Sequence, residues 1–456
     1  MSRLERLRAA NPLPEGTLAV GAGLLVNGVG AYLFLALSAR SLGPSEFAPL
    51  SVLWALAFLV APGLFLPLEQ EVSRAVASRR ARGEGGLPVV RHAALIGGAL
   101  LGVVVLGALV ASGWLLDRLF DDQVLLLTGF VLALTGYCGA HLVRGVLSGN
   151  GRFGDYAVYF GTEGLLRAGV GIGFLVVGVS AAGWYGLTIG LVPFVALAAA
   201  LVRPRQLLTP GPPSRAGELT SALGALLAAS LFTALLLNAG PIAIELLATD
   251  DESDEAGRFL AGLVIARVPL FLFQAVQASL LPRLALHAGA REWVELQDSL
   301  RRLVIAVSGL AVTATVVAWA IGPEVVELFF GAEFALGHRD LGLLALSSGL
   351  FMVGVALGQA LIALGSAGRM SLGWAAGVAT FVVVTALGDD LYLRVQLGLV
   401  AGTAVVVATL AVLVRARLGT ELRAASPTGH GAVSGSGDGS GEGSGPGATS
   451  VVGPAR

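Results

Sequence analysis

The sequence predicts an all-α polytopic membrane protein, with about twelve transmembrane helices in two six-helix bundles around a central cleft. Three observations predict it. Of 456 residues, 55% are hydrophobic and 13% charged, about half the charged share of an ordinary soluble domain. Apolar runs of about 18 residues or more recur along the chain, and the mean hydropathy of the whole sequence is +0.82, more apolar surface than a globular core absorbs. The arginines between these runs alternate between crowded and nearly empty connections, the pattern that sidedness in a membrane leaves. Composition also excludes other classes. Lysine is absent, so all 29 basic residues are Arg, and with 30 acidic residues the net charge is -1; no nucleic-acid partner is implied. The single cysteine, Cys138, leaves no disulfide framework or cysteine metal site and is expected to serve packing.

Residues 1–16 carry Arg3, Arg6 and Arg8 ahead of a long apolar run, which predicts a cytoplasmic segment leading into a signal anchor. The expected spans are 17–39, 47–68, 93–113, 124–146, 155–179 and 184–202, then 220–248, 258–281, 303–321, 341–363, 370–387 and 393–414. They divide the chain into a first bundle, 17–202, a cytoplasmic linker, 203–219, and a second bundle, 220–414. The tail, 415–456, is Gly/Ser-rich beyond about residue 424 and predicts disorder there. With both termini placed in the cytoplasm, the inner connections collect Arg74, Arg79, Arg80, Arg82, Arg203 and Arg205 among many others. The outer side keeps only Arg40, Arg118, Arg258, Arg339 and Arg394 and is acidic at 250–255. The expected location is the inner membrane of a bacterium.

The halves echo each other. Leu147-Ser-Gly-Asn-Gly-Arg152-Phe153 after span 4 parallels Leu364-Gly-Ser-Ala-Gly-Arg369-Met370 after span 10, and Leu116-Asp-Arg-Leu-Phe120 parallels Val326-Glu-Leu-Phe-Phe330. Arg91 and Arg302 both precede the third span of their half. Six spans per half give a parallel repeat about an axis normal to the membrane, an arrangement suited to rocking around a shared cleft.

These features carry a resemblance. Arg40-Ser-Leu-Gly-Pro-Ser-Glu-Phe47, Leu280-Leu-Pro-Arg-Leu284, Val326-Glu-Leu-Phe-Phe-Gly-Ala-Glu-Phe334 and the Gly-Arg turns at 151–152 and 368–369 resemble the multidrug/oligosaccharidyl-lipid/polysaccharide (MOP) exporter superfamily. Within it they are similar to the polysaccharide and lipid-linked oligosaccharide flippases. The chain departs from the family in having Ala48-Pro49 where Gly often follows the loop's Phe. The resemblance implies alternating access without a nucleotide motor, and a polyprenyl-diphosphate-linked glycan as substrate for cell-surface polysaccharide synthesis. Glycosyltransferases or a glycan polymerase are the partners it implies, beside membrane lipids. On the residues alone, Gly43-Pro44 is equally a tight external hairpin.

Charges inside lipid single out the candidate substrate-binding residues, because each costs about 2.5 to 3.5 kcal/mol on insertion scales. Glu163 and Arg167 lie mid-span at i, i+4 and read either as a self-neutralising pair or as cavity lining. Arg267 has no acidic neighbour at helical spacing, which favours a place facing water or substrate over a long-range structural pair. Gln274, seven residues on, shares its stripe, and Asn27 and Asn238 are further polar groups within spans, for which interhelical hydrogen bonding is the alternative reading. His141 and Arg144 are expected to snorkel to the headgroups, and Glu245 to reach water. No cofactor or metal is implied, since no Walker A, His-Glu-x-x-His or Gly-x-Ser-x-Gly pattern occurs. GAGLLVNG, inside span 1, reads as helix-packing glycine. Two other functions stay open: cation-coupled export of drugs, which calls for unpaired acids in the first bundle, and a membrane glycan polymerase using the 250–255 carboxylates.

Overall fold

The computed structural model describes residues 17–203, 206–214, 219, 223–249, 252, 254–270, 273 and 290–425. Helix dominates, and no strand occurs among the described residues. The elements are α1 (Thr17–Ala81), α2 (Leu87–Val110), α3 (Ser112–Leu119), α4 (Val124–Gly149), α5 (Phe153–Val177) and α6 (Ala182–Leu201). They are followed by α7 (Leu223–Leu247), α8 (Glu255–Ala266), α9 (Trp293–Phe330), α10 (His338–Ala363), α11 (Ala367–Thr385) and α12 (Leu391–Ala425). Ten of these are long and apolar enough to cross a membrane, so the protein is a multi-pass membrane protein.

At 1.5 Å per residue the 65-residue α1 would run about 98 Å, roughly three times a hydrocarbon core. It is instead bent at Gly43, where φ is 72° and ψ 170°, a conformation that favours glycine. Pro44 begins the second arm, where its missing N–H leaves no helical bond unmade. The arms, 17–42 and 44–81, are the first two expected spans. The eighth expected span, 258–281, is described through α8 and 268–270; most of the remainder, with Gln274, Gln277 and the motif at 280–284, lies outside the described residues.

α1, α2, α4, α5 and α6 pack on one another, as do α7 to α12, and α1 also lies against α7 and α8. Glycine allows the closest crossing: a methyl group on Gly30 would sit 2.1 Å from the Gly164 carbonyl oxygen, so α1 and α5 touch backbone to backbone. Cys138 is buried in the same group of helices. α9 extends beyond its apolar stretch as an amphipathic helix, with Leu296, Leu300, Leu303 and Val307 buried and Arg301 and Arg302 exposed. Part of the connection after α6 is strapped to the N-terminal helices: Arg79 donates to the Gly85 and Pro212 carbonyls at 3.0 and 2.8 Å, and Asn150 to that of Leu207 at 3.2 Å.

The two echoing turns differ by a register shift. Gly151 donates to Ser148 and Arg152 to Leu147, while Gly365 donates to Ile362 and Ser366 to Leu361. Both glycines have positive φ, so Gly151 is the counterpart of Gly365. Arg369 therefore lies inside α11, whereas Arg152 precedes α5.

Candidate functional site

One end of the helices carries Arg79, Arg80 and Arg82 and the other the acidic residues Glu252, Asp254 and Glu255. Proline builds the cavity between them. Pro62, inside the second arm of α1, has no N–H for the carbonyl of Phe58 four residues earlier. Asn238 of α7 supplies the missing donor at 3.1 Å, also donating to Ala234 at 3.0 Å, and Ser230 donates to Pro62 at 2.9 Å. The same logic recurs where Pro323 frees the Trp319 carbonyl and His338 Nδ1 reaches it at 2.7 Å. α7 is thereby stitched to α1.

Beside this seam lies a cavity of about 510 Å³, lined by the first arm of α1 (Asn27, Tyr32), its second arm (Trp54, Phe58, Gln70), Arg167 and α7 (Ser230, Thr233, Asn238). Arg267, and Gln359 of α10, complete it. Four of the six residues singled out from sequence thus share one wall system: Asn27, Arg167, Asn238 and Arg267.

Their chemical states differ. Arg167 is 1% exposed; it donates to Glu163 Oε1 at 2.6 Å and to the Tyr137 hydroxyl, and Tyr137 donates to Glu163 at 3.0 Å. Its guanidinium also lies 5.4 Å from the Trp54 ring centre and 5.7 Å from that of Phe58. This pair is compensated within the N-terminal helices. Asn238 is committed to the α1–α7 seam. Asn27 Oδ1 and Gln359 Oε1 are buried without a hydrogen-bond partner. Arg267 ends α8, where Pro269 removes the donor that Ile265 would otherwise have received. Its backbone N–H caps Leu263 and Val264 at 3.1 and 3.3 Å. Its guanidinium makes no hydrogen bond or ion pair to a described residue, and its electrostatic neighbour is the Tyr32 phenol. The C-terminal dipole of α8 favours a cation there, and the side chain lines the cavity.

A second groove of about 680 Å³, lined almost wholly by apolar side chains, lies between the first arm of α1, residues 264–269 and α9. It shares Gly28, Tyr32 and Val264 with the polar cavity.

The structure corrects one expectation. His141 and Arg144 do not snorkel. Both are buried on Glu69, His141 Nδ1 at 2.8 Å, with Tyr156 donating to the same carboxylate at 2.9 Å. Arg144 also lies over the rings of Tyr156, Tyr159 and Phe160. Sequence reasoning missed this cluster because the apolar run ends at Leu68, whereas the helix continues to Ala81. Glu245 is partly exposed, with its Oε2 buried without a hydrogen-bond partner among the described residues. Of the 250–255 carboxylates, Asp254 and Glu255 pair with Arg258 at 2.6 and 3.2 Å. The Thr249 N–H and hydroxyl hold the Glu252 carboxyl below its usual range. No grouping of three potential metal ligands occurs among the described residues.

No protein-family profile matches the sequence. The uncharacterized protein Rv1510 of Mycobacterium tuberculosis is 25% identical over 407 residues, covering 87% of this chain and 91% of its own. The uncharacterized protein Mb3654 of Mycobacterium bovis is 24% identical over 408 residues, covering 86% and 89%. Among solved structures, the inward-facing conformation of a multidrug resistance MATE family transporter of the MOP superfamily superposes with a TM-score of 0.68 at 16% identity, over 89% of this chain and 99% of that one. The outward-facing conformation of such a transporter gives 0.62 at 14% identity, over 90% and 96%. A Vibrio cholerae MATE transporter gives 0.57 at 16% identity, over 90% and 99%. At these identities the likeness speaks to architecture, and the architecture of this chain is the MATE transporter fold.

Proposed function

We propose that the protein is an alternating-access flippase that moves a polyprenyl-diphosphate-linked oligosaccharide, or a related anionic glycolipid, across the cytoplasmic membrane of a bacterium for cell-surface polysaccharide synthesis. The observation that carries this reading is Arg267, which has no ion-pair partner among the described residues, in a cavity that shares a wall with an apolar groove. A lipid-anchored anion needs both: a guanidinium that replaces water around a diphosphate through charge-assisted, fork-like hydrogen bonds, and a lateral apolar path for its tail. With the cell interior negative, outward movement of the anion is favoured by about 2.3 kcal/mol per charge per 100 mV, so no ATP site is needed. Both termini are placed in the cytoplasm on the distribution of arginine. Enzymes that build or polymerise the glycan are the expected functional partners.

Export of cationic drugs is the second reading, supported by the multidrug transporters among the structural neighbours. It calls for an unpaired acid in the cavity, and Glu163 is bound to Arg167 and Tyr137. The test is to deplete the protein in its host and follow lipid-linked glycans by leaflet. Accumulation in the inner leaflet supports the flippase. Unchanged glycans with increased sensitivity to cationic drugs would replace it by the second reading. In complementation, Arg267→Glu should abolish activity at normal abundance, and Arg267→Lys should keep part of it, since the charge survives without the bidentate fork.

A further inference from the structure

The motifs at 40–47 and 326–334 are far apart in sequence and meet at the acidic end of the molecule. Arg40, in the last turn before the Gly43 bend, donates from Nε to the Phe329 carbonyl at 2.9 Å, and its second nitrogen donates to Leu328. These carbonyls belong to the last turn of α9, where a helix leaves four without intrahelical donors. The Gly331 N–H takes the Glu327 carbonyl at 3.0 Å, and Arg40 takes the next two. The cation therefore sits at the negative end of the α9 dipole.

Behind it, Phe47 and Phe334, both fully buried, meet edge to face with centres 5.7 Å apart. α8 seats directly on the bend: a methyl group on Gly257 would lie 2.7 Å from the Pro44 carbonyl oxygen and 3.2 Å from the Ala48 nitrogen. Arg258 donates to the Glu333 carbonyl at 3.0 Å and so fixes the turn that carries Phe334. Every one of these contacts except the last joins α1 to the C-terminal part of the chain on the acidic side.

We propose that they form the outer gate of the alternating-access cycle, with Arg40 as its latch and the Phe47–Phe334 contact as its plug. The proposal rests on the alternating-access part of the function above and is independent of the substrate. Arg40 is exposed, so when the gate opens water solvates both the guanidinium and the freed carbonyls. The latch therefore biases closure on the order of fivefold without locking it, the scale of one charge at an exposed helix end. Gly257 contributes by contact: of the two glycines of α8, Gly257 and Gly262, it is the one at which the α1 backbone comes within 3 Å of a would-be methyl group, and any side chain holds the gate ajar.

Because Cys138 is the only cysteine, the test is direct. In a Cys138→Ala background, Thr233→Cys places a thiol in the cavity wall, and its labelling by a membrane-impermeant maleimide is timed separately from each side of sealed vesicles. Arg40→Ala should raise labelling from the acidic side on the order of fivefold and lower it from the Arg-rich side. Arg40→Lys should fall between, and Gly257→Ala should shift labelling in the same direction as Arg40→Ala. Labelling that is unchanged in Arg40→Ala, or that rises from both sides together, overturns the latch. The assay needs no substrate, so it separates failure of the gate from failure of the glycan reading.

Discussion

Glu69 and Glu163, on the N-terminal helices, are each surrounded by donors, whereas Arg267, in the cavity wall, faces no partner among the described residues. The difference follows from what each helix group supplies. α4 and α5 bring Tyr137, Arg144, Tyr156 and Arg167 inward, so buried charge on this side is neutralised before any ligand arrives. α8 brings one arginine at a proline break and no acid beside it. Buried charge held by a counter-charge fixes geometry; charge without one among the described residues retains affinity for something else. The N-terminal side thus reads as scaffold, and Arg267 as the free valence of the cavity.

Breaking the scaffold should give the largest effect. Glu69→Ala leaves Arg144 uncompensated beside His141 in a dry site, and removal of one member of a buried pair costs about 3 to 5 kcal/mol. The expected outcome is a sharp fall in abundance and in the thermal transition of the detergent-solubilised protein. A protein that melts like the parent would show that water reaches this cluster. Arg267→Ala is the opposite case. Stability should change by less than about 1 kcal/mol, since no partner is orphaned, while transport is lost. A destabilised Arg267→Ala at retained activity would erase the contrast between the two sides.

How much of this was legible from the sequence follows the same divide. The helical membrane class was readable because apolar runs announce spans by length, and Arg267 stood out because a lone charge in such a run has no local excuse. Glu69 was hidden by its position just past the end of an apolar run, where hydropathy gives no hint that a helix continues. Its partners are 72, 75 and 87 residues away, beyond any helical spacing. Asn238 was visible as a polar group in a span, but its role depends on Pro62, 176 positions earlier, leaving a carbonyl free at Phe58. The motifs at 40–47 and 326–334 were legible as turns, and their meeting across the molecule was not.

The seam should respond more mildly. Asn238→Ala removes the donor to the Phe58 carbonyl and leaves it unsatisfied, a loss of about 1 to 3 kcal/mol for a buried acceptor. Asn238→Ser, with a shorter hydroxyl donor, should recover part of it. Thermal unfolding of the two variants checks this. If both match the parent, the Phe58 carbonyl is hydrated from the cavity, and Asn238 becomes available as a binding residue beside Arg267.

The smallest effect is expected at Glu245. Its carboxylate sits near the acidic end of α7 with one oxygen buried and unpartnered, and its electrostatic neighbour is Asp121, just beyond α3 on the N-terminal side. α3 packs against α7, so closure on this side brings two acidic side chains together while the Arg40 contacts pull the other way. Glu245→Gln removes the repulsion and keeps the shape. It should lower acidic-side labelling of the Thr233→Cys reporter roughly twofold, the scale of one partly exposed charge pair. The sign is opposite to that of Arg40→Ala, and the combined variant should fall between the two, because distant sites act additively. Labelling that rises in Glu245→Gln would mean that the carboxylate holds the outer side shut, and the opposition between the Arg40 and Glu245 contacts would have to be reversed.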